Sequence, residues 1–352
     1  MIGYYVHRHG SGHRQRALAI ARRLDGEITL LGSLGPAAGL PAPYVELARD
    51  DIPEPDPAAD VTAEGALHWA PLSHPGLRER HGGLARWLAS PATTLLVSDV
   101  SVEVLLLARL LSVPPVAMAQ RGIRADRAHA TGYDAAVAIL APWARQTQHE
   151  WPERWLAKTR WIGMVSRFDG RPREPTRCGR PGTCVVLVLG RGGHGLGPAD
   201  LVEAAAVDGT HWHVLGAIAP VAGLPPDAEA RLVLHGDVPD PWAMLCGADV
   251  VVAAAGASAV ADVAAARVPL VAVPQSRPFG EQEEHVRVLA RHGMCVAVQP
   301  WPTRSSWPAL LERAVEIGGD VWAEHSDGAG AWRAASAIRE LAAHRWAGST
   351  HG

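Results

Sequence analysis

The sequence predicts an α/β protein with two domains that face each other across a cleft, each with a parallel β-sheet covered by helices. Short apolar runs typical of buried parallel strands alternate with helical patterns along the chain. In each half, a glycine-containing turn joins such a strand to a helix. With 352 residues, the chain is long enough to bury two hydrophobic cores.

Composition excludes several classes of protein. Hydrophobic residues make up 48% of the chain, charged residues 20%, and the net charge is -3, so we expect a folded protein that does not bind nucleic acid. The four cysteines form no C-x-x-C pair, which favours a reducing compartment. No apolar run is long enough to span a bilayer, and the chain starts without a basic leader. We therefore expect a cytoplasmic protein, with membrane contact limited to the periphery of the inner face.

The stretch from residue 248 to 285 contains two predicted strand ends that open onto one crevice. Val250 to Ala255 is an apolar run that indicates a buried strand, and it breaks at Gly256. Ser258 to Arg267 then has helical composition. A second apolar run, Pro269 to Pro274, predicts the neighbouring parallel strand, which is followed by a polar loop.

This crevice suits a ligand that carries phosphates. Gly256 lets the backbone approach a ligand closely, and the free amides of Ala257 to Ala259, including that of Ser258, would point at an anion such as a pyrophosphate. Asp262 would accept hydrogen bonds from a ribose diol. The alternative is that Gly256 only makes a tight turn and that Asp262 is a solvated helix residue. The polar loop would hold sugar hydroxyls through Glu281, Gln282 and His285.

The order of these residues resembles the donor site of GT-B glycosyltransferases, particularly family 28, which contains the bacterial N-acetylglucosaminyltransferase that forms lipid II. Gly256, Asp262, Pro269 and Gln282 occupy matching positions. Two positions differ, because Asp262 stands where the family usually has Glu and His285 stands where Asn is common. The resemblance implies a GT-B fold, with two Rossmann-like domains, and a nucleotide-sugar donor that is UDP-linked.

The first predicted strand, Ile2 to His7, leads into a glycine-punctuated loop and a helix. Gly10, Ser11 and Gly12 place His13 near the helix start, at the carboxyl end of the strand, where open α/β sheets bind ligands. The loop resembles the G-x-G-H segment of the same family and the G-x-G-H-x-x-R pattern of related nucleotide-sugar hydrolases. This resemblance implies that His13 is a general base between donor and acceptor. The alternative is a capping or solvated histidine.

Asp99 ends the next convincing strand, Thr93 to Asp99. Glycosyltransferases of this fold that use a histidine base often have an aspartate at such a position, and the resemblance implies that Asp99 orients the imidazole of His13. The alternative is that Asp99, like Ser98 and Ser101, caps the helix that follows.

Further donor contacts are predicted on both sides of the domain boundary. A second glycine-rich loop follows the first strand of the second half, and its backbone amides would line the phosphates. The residues of this loop are Gly190, Arg191, Gly192 and Gly193. Arg167 matches an arginine of the family and would clamp the diphosphate. By resemblance alone, the main chain of Val238 would contact the uracil ring.

We predict an acceptor-binding domain over residues 1–168, a linker rich in Pro, Gly and Arg over 169–183, and a donor-binding domain over 184–329. A final helix, within 330–352, is expected to cross back to the first domain. Tryptophans and arginines interleave within 141–161, and this segment either packs at a domain edge or contacts a membrane or acceptor.

The sequence thus predicts an inverting, metal-independent sugar transfer from a nucleotide diphosphate sugar to a hydroxyl of a cell-wall or secondary-metabolite intermediate. The acceptor is a small or lipid-linked molecule, and no cofactor is expected. Two alternatives stay open. One is a nucleotide-sugar hydrolase of related fold, and the other is a non-catalytic GT-B subunit that binds a nucleotide sugar or a partner enzyme.

Overall fold

The structure, a computed structural model, describes residues 1–8, 10–35, 39–56, 58–148, 151–174, 181–190, 192–219, 230–344 and 346. Within these residues, helices connect the strands of two parallel β-sheets, one of seven strands and one of six. Central strands such as Leu95–Asp99 and Val250–Ala253 are buried at every residue, as expected for parallel strands covered on both faces. The predicted α/β architecture with two Rossmann-like domains is confirmed.

The first sheet has the strand order β3-β2-β1-β4-β5-β6-β7. Its strands are Ile2–Val6 (β1), Ile28–Gly32 (β2), Tyr44–Glu46 (β3), Leu95–Asp99 (β4), Pro115–Met118 (β5), Ala138–Ala141 (β6) and Thr159–Trp161 (β7). Because β1 and β4 are neighbours, Val6 pairs with Asp99 and the two strands end side by side. This edge is where a doubly wound sheet offers a ligand crevice.

The helices of the first half are Ser11–Leu24 (α1), Pro75–Leu88 (α2), Val102–Leu110 (α3), Arg127–Ala135 (α4) and Glu153–Leu156 (α5). Two of these helices, α2 and α4, begin at a residue whose side chain caps them. The ring of His74 caps α2 by accepting from the amide of Leu77 at 3.0 Å. Asp126 caps α4 by accepting from the amide of His129 at 3.1 Å, a common way to satisfy the first free amides of a helix.

The second sheet has the order β10-β9-β8-β11-β12-β13. Its strands are Thr183–Val188 (β8), Thr210–Leu215 (β9), Leu232–Gly236 (β10), Val250–Ala253 (β11), Leu270–Ala272 (β12) and Val296–Ala297 (β13). The remaining helices are Pro198–Ala205 (α6), Trp242–Gly247 (α7), Ala257–Ala266 (α8), Glu281–Arg291 (α9), Trp307–Ile317 (α10) and Gly330–Ala343 (α11). The helix predicted after Gly256 is α8, and Gly256 is its N-cap residue.

The last helix, α11, packs against the first domain. Ala334 and Ile338 are fully buried in the same core cluster as residues of β1 and α1. The guanidinium of Arg339 lies 2.8 Å from the carboxylate of Glu27, and Arg333 donates to the carbonyl of Ile162 at 2.8 Å. Helix α11 therefore crosses back to the domain that contains β1 and α1.

The tryptophans of the 141–161 segment lie at the edge of the first domain. Trp143 and Trp155 are each 4% exposed and share a core cluster, against which Trp151 and Trp161 pack. Of the two interpretations of this segment, the structure shows the first, in which the tryptophans pack in a core at the edge of the domain. Across the described residues, no helix has both the length and the apolar character that a membrane span requires.

Candidate functional site

His13 and Asp99 meet where β1 and β4 end. His13 lies in the first turn of α1, and its Nδ1 is 2.9 Å from Oδ1 of Asp99. The Asp99 side chain is fully buried. It also accepts from the hydroxyl of Tyr4 at 2.9 Å and from Arg16 at 3.1 Å (Nε) and 2.5 Å (Nη2). The N-cap residue of α3 is Ser101, so Asp99 does not cap that helix.

The charges around Asp99 fix its ionisation. Burial by itself raises the pKa of the Asp99 carboxyl, but the charges of Arg16 and His13 and their hydrogen bonds outweigh burial and hold that pKa well below its usual range. An ionised carboxylate can only accept, so the neutral imidazole of His13 carries its proton on Nδ1. The Nε2 atom is left with a lone pair that can take up a proton.

The backbone beside Asp99 is strained. Val100 has a φ of 88°, in the left-handed region that β-branched residues rarely adopt. Strained backbone of this kind is concentrated at functional sites, where the surrounding structure holds it in place. The strain in Val100 occurs directly after the carboxylate that contacts His13.

Gln120 is a site residue that the sequence analysis did not identify. It follows β5, the neighbour of β4, and its Nε2 lies 3.2 Å from Nε2 of His13. Its Oε1 accepts from Nη2 of Arg124 at 3.1 Å. Since an arginine side chain can only donate, the amide oxygen must face Arg124 and the amide nitrogen must face His13. A polar residue at the end of a strand adjacent to β4 was the available signal.

The loop Gly10 to Gly12 contacts the donor helix of the other domain. The hydroxyl of Ser258, in the first turn of α8, donates to the carbonyl of Gly12 at 3.0 Å. A Cβ atom at Gly12 would lie only 3.0 Å from that hydroxyl, so a glycine permits this approach. His13 is thereby brought next to the N-terminus of α8, where Gly256, Ala257 and Ser258 lie.

The second glycine-rich loop is joined to the loop that follows β12. Arg277 donates to the carbonyl of Gly193, and the amide of Gly195 donates to Oε1 of Gln275 at 3.0 Å. The amide of Gln275 in turn donates to Oε1 of Gln282 at 2.8 Å. Gly190 and Gly192 belong to the same loop, and Arg191 lies outside the described residues. Arg277 and Gln275 were not identified from the sequence.

Asp262 and Arg167, which the sequence analysis assigned to separate donor contacts, form one ion pair. Nε of Arg167 donates to Oδ2 of Asp262 at 3.0 Å, and the hydroxyl of Ser166 donates to Oδ1 at 2.7 Å. Asp262 is 6% exposed. Burial raises the pKa of the Asp262 carboxyl, although the charge of Arg167 opposes this shift. The pair ties the end of the first domain to α8.

The part of the predicted polar loop that contains Glu281, Gln282 and His285 is the start of α9 instead. Nδ1 of His285 is 2.8 Å from the carbonyl of Ala255, at the end of β11. A carboxylate oxygen of Glu281 lies 3.8 Å from Nη2 of Arg124 in the first domain. Val238 is partly buried against the core of the second domain.

The free energy of unfolding should fall at mildly acidic pH because of His285. Burial, followed by the nearby charge of Arg121, lowers the pKa of His285 to about 4, whereas an unfolded histidine titrates near 6.5. The contribution of neutral His285 to the free energy of unfolding is fully present above about pH 6.5. It is lost as the pH falls towards 4, and the loss amounts to at most about 3 kcal/mol. Denaturant unfolding between pH 7 and 4 should show a shallower loss in His285→Gln. The control is His235→Gln, at an exposed histidine of β10, and equal pH dependence in His285→Gln and the wild type would contradict this assignment.

A cluster of His68, Asp126 and His129 has ligand-type atoms within 4.8 Å of one another. These atoms already take part in hydrogen bonds. Nε2 of His68 lies 2.9 Å from Asp126 Oδ1, and Nδ1 of His129 contacts Asp126 Oδ2. Nη1 of Arg124 lies 3.1 Å from Nε2 of His129, so His129 carries its proton on Nδ1. The geometry favours a hydrogen-bonded cluster over a set of metal ligands.

Comparisons with known proteins agree with this architecture. The sequence model of the glycosyltransferase family 28 C-terminal domain matches residues 243–306, which include α8 and its flanking strands. No curated protein matches the chain by sequence.

Solved structures of similar fold cover nearly the whole chain. The glycotransferase of kitacinnamycin is 18% identical, with 97% of this chain and 98% of that chain covered and a TM-score of 0.68. MurG of Acinetobacter baumannii is 16% identical, with 96% of this chain and 99% of that chain covered and a TM-score of 0.62. LpCGTa in complex with UDP is 12% identical, with 97% of this chain and 98% of that chain covered and a TM-score of 0.66. The chain thus has the GT-B glycosyltransferase fold, and residues 243–306 resemble the C-terminal domain of glycosyltransferase family 28.

Proposed function

We propose that this protein transfers a sugar from a nucleotide diphosphate sugar to an acceptor hydroxyl, with inversion at the sugar carbon. The observation that carries the proposal is the His13 imidazole, which is bound through Nδ1 to the buried Asp99 and stands next to the N-terminus of α8. A general base and an anion-binding helix end are therefore adjacent, on opposite sides of the cleft.

The proposed reaction is a single displacement. Nε2 of His13 takes the proton of the acceptor hydroxyl while the hydroxyl oxygen forms a bond to the anomeric carbon of the sugar. The bond from that carbon to the diphosphate oxygen breaks on the opposite face, so the configuration inverts. Asp99 stabilises the imidazolium that forms, because its carboxylate stays ionised. The acceptor hydroxyl replaces the amide of Gln120, whose nitrogen lies 3.2 Å from Nε2 of His13.

The leaving diphosphate needs charge stabilisation that is in place before the reaction. The amides of Ala257 and Ser258 begin α8, and Gly256 has no side chain to cap them. The loop with Gly190, Gly192 and Gly193 would add further amides, and Arg167 and Arg277 supply positive charge nearby. With these donors, we propose a metal-independent reaction without a cofactor.

The remaining assignments concern donor and acceptor recognition. A UDP-linked donor is supported by the resemblance to family 28 and by the similar fold of LpCGTa, whose structure is in complex with UDP. We assign the uracil contact to the main chain of Val238, the ribose to Asp262, and the sugar hydroxyls to the start of α9. This part of α9 contains Glu281, Gln282 and His285. The acceptor is a small or lipid-linked alcohol held by the first domain.

A donor-turnover assay tests the proposal. The protein is incubated with a panel of UDP-sugars, with and without a panel of acceptor alcohols, and released UDP and glycoside are quantified. We expect equal amounts of UDP and glycoside, with UDP release that depends on the acceptor. UDP release at the same rate without acceptor would instead identify a nucleotide-sugar hydrolase. Binding without any turnover across the panel would favour a non-catalytic subunit.

A further inference from the structure

Phe279, in the donor domain, contacts the first domain across the cleft. Its carbonyl accepts from the amide of Ile123 at 2.8 Å. Its ring packs against the imidazoles of both His129 and His68, with centroid distances of 4.7 Å and 5.0 Å. The guanidinium carbon of Arg124 lies 4.8 Å from the ring centroid, in cation–π geometry. We call this contact the Phe279 clasp.

The backbone on both sides of the clasp is specialised. Phe279 has a φ of 62°, an unfavourable conformation for a residue with a side chain. Opposite it, Gly122 has a φ of 111°, and a Cβ atom there would lie 2.8 Å from the carbonyl oxygen of Phe279. The contact therefore depends on a glycine in one domain and on a strained residue in the other, and strain of this kind persists where the surroundings enforce it.

Arg124 connects the clasp to the candidate base. It is 6% exposed, and Nη1 and Nη2 donate to Nε2 of His129 and to Oε1 of Gln120, both at 3.1 Å. Its Nε donates to the carbonyl of Arg121 at 3.1 Å. Gln120 then presents its amide nitrogen to Nε2 of His13. Arg124 and Gln120 thus link the Phe279 ring to the imidazole of His13.

The same donor-domain segment also contacts the glycine-rich loop. Arg277 binds the carbonyl of Gly193, and Gln275 binds both the amide of Gly195 and the side chain of Gln282. One short stretch of chain therefore touches the predicted phosphate loop at one end and the first domain at the other.

We propose that Phe279 and Arg124 are positioning residues for the His13 base, and that the clasp holds Gln120 against Nε2 of His13 while it keeps the donor loop closed on the first domain. Gln120 and Asp99 then fix the imidazole from both nitrogens before the acceptor binds, with the proton on Nδ1. The acceptor hydroxyl takes over the lone pair of Nε2 when it displaces the Gln120 amide. This inference rests on the proposed function, because it gives Phe279 and Arg124 a role in orienting the same base.

The test uses the full chain with ¹⁵N-labelled histidine and compares Phe279→Ala with the wild type. The His13 ring signals are assigned by their loss in His13→Gln. We expect Phe279→Ala to shift the Nε2 signal of His13, to lower kcat about tenfold, and to leave UDP affinity within about twofold. Phe279→Tyr, which keeps the ring, should restore both the signal and kcat. The matched control is Leu234→Ala, at an exposed apolar residue of the donor domain, which should change neither.

The spectroscopic outcome decides the inference without requiring activity. Unchanged His13 ring signals in Phe279→Ala would overturn it, even if kcat fell. If no sugar is transferred by the wild type, the proposed function fails, while a shifted Nε2 signal would still establish the positioning. Should Phe279→Ala not fold, Phe279→Leu keeps apolar volume but removes the ring face that Arg124 contacts, and the same comparison applies to it.

Discussion

His13→Ala is expected to lower kcat for sugar transfer by about 10²- to 10⁴-fold, the usual contribution of a general base. Nucleotide affinity should stay within about twofold, because His13 faces the acceptor side of the cleft and the nucleotide contacts are assigned to the second domain. Steady-state kinetics and calorimetry on the same preparation separate these two effects. The histidine control is His235→Gln, at an exposed residue of an edge strand.

If kcat fell by less than about threefold in His13→Ala, another group would have to take the acceptor proton. A parallel loss of nucleotide affinity would instead indicate that His13 contacts the donor. The circular dichroism spectrum of the variant should match that of the wild type, since His13 is on the surface of the cleft and caps no helix.

Asp99→Asn should affect both stability and catalysis. The amide keeps the shape of the carboxylate but leaves the buried guanidinium of Arg16 without its counter-charge, which costs about 3 to 5 kcal/mol in such pairs. The imidazolium of His13 also loses its stabilising partner, so kcat should fall by about 10²-fold or more. Denaturant unfolding and kinetics at a temperature where the variant is folded measure the two losses separately.

The double variant Arg16→Gln/Asp99→Asn separates the two roles of Asp99. Removing both charges should recover part of the lost unfolding free energy, because no buried charge is left unpaired. Activity should stay low, since no ionised carboxylate then accepts the Nδ1 proton of His13. Full recovery of kcat in the double variant would show that Asp99 serves only to neutralise Arg16.

Much of the fold could be predicted from the local pattern of apolar residues. Runs such as Val250 to Ala255 are apolar at every position, and this is required of a strand buried on both faces, so the parallel sheets could be predicted. The meeting of His13 with Asp99 could be anticipated because both follow strands whose carboxyl ends lie at one edge of a sheet. Their direct contact requires that β1 and β4 be neighbours, as the register of Val6 with Asp99 shows.

Contacts made by domain packing were beyond sequence reasoning. The pairing of Arg167 with Asp262 joins residues 95 positions apart, and no local periodicity predicts it. Gln120 and Arg124 acquire their roles through a chain of hydrogen bonds that depends on side-chain direction. The Phe279 clasp depends on backbone with positive φ in a loop, which no apolar pattern encodes.

Calorimetric titration with UDP, dTDP and GDP tests whether a nucleotide site lies at the N-terminus of α8. We expect selective binding of UDP, weakened about tenfold in Asp262→Asn by the lost ribose contact and unchanged in Asp208→Asn, at a mostly exposed carboxylate. Saturation at a hundred times Kd should also stabilise the fold by about 2.7 kcal/mol. Absence of binding by all three nucleotides to the wild-type protein would contradict the donor site and, with it, the proposed transfer reaction.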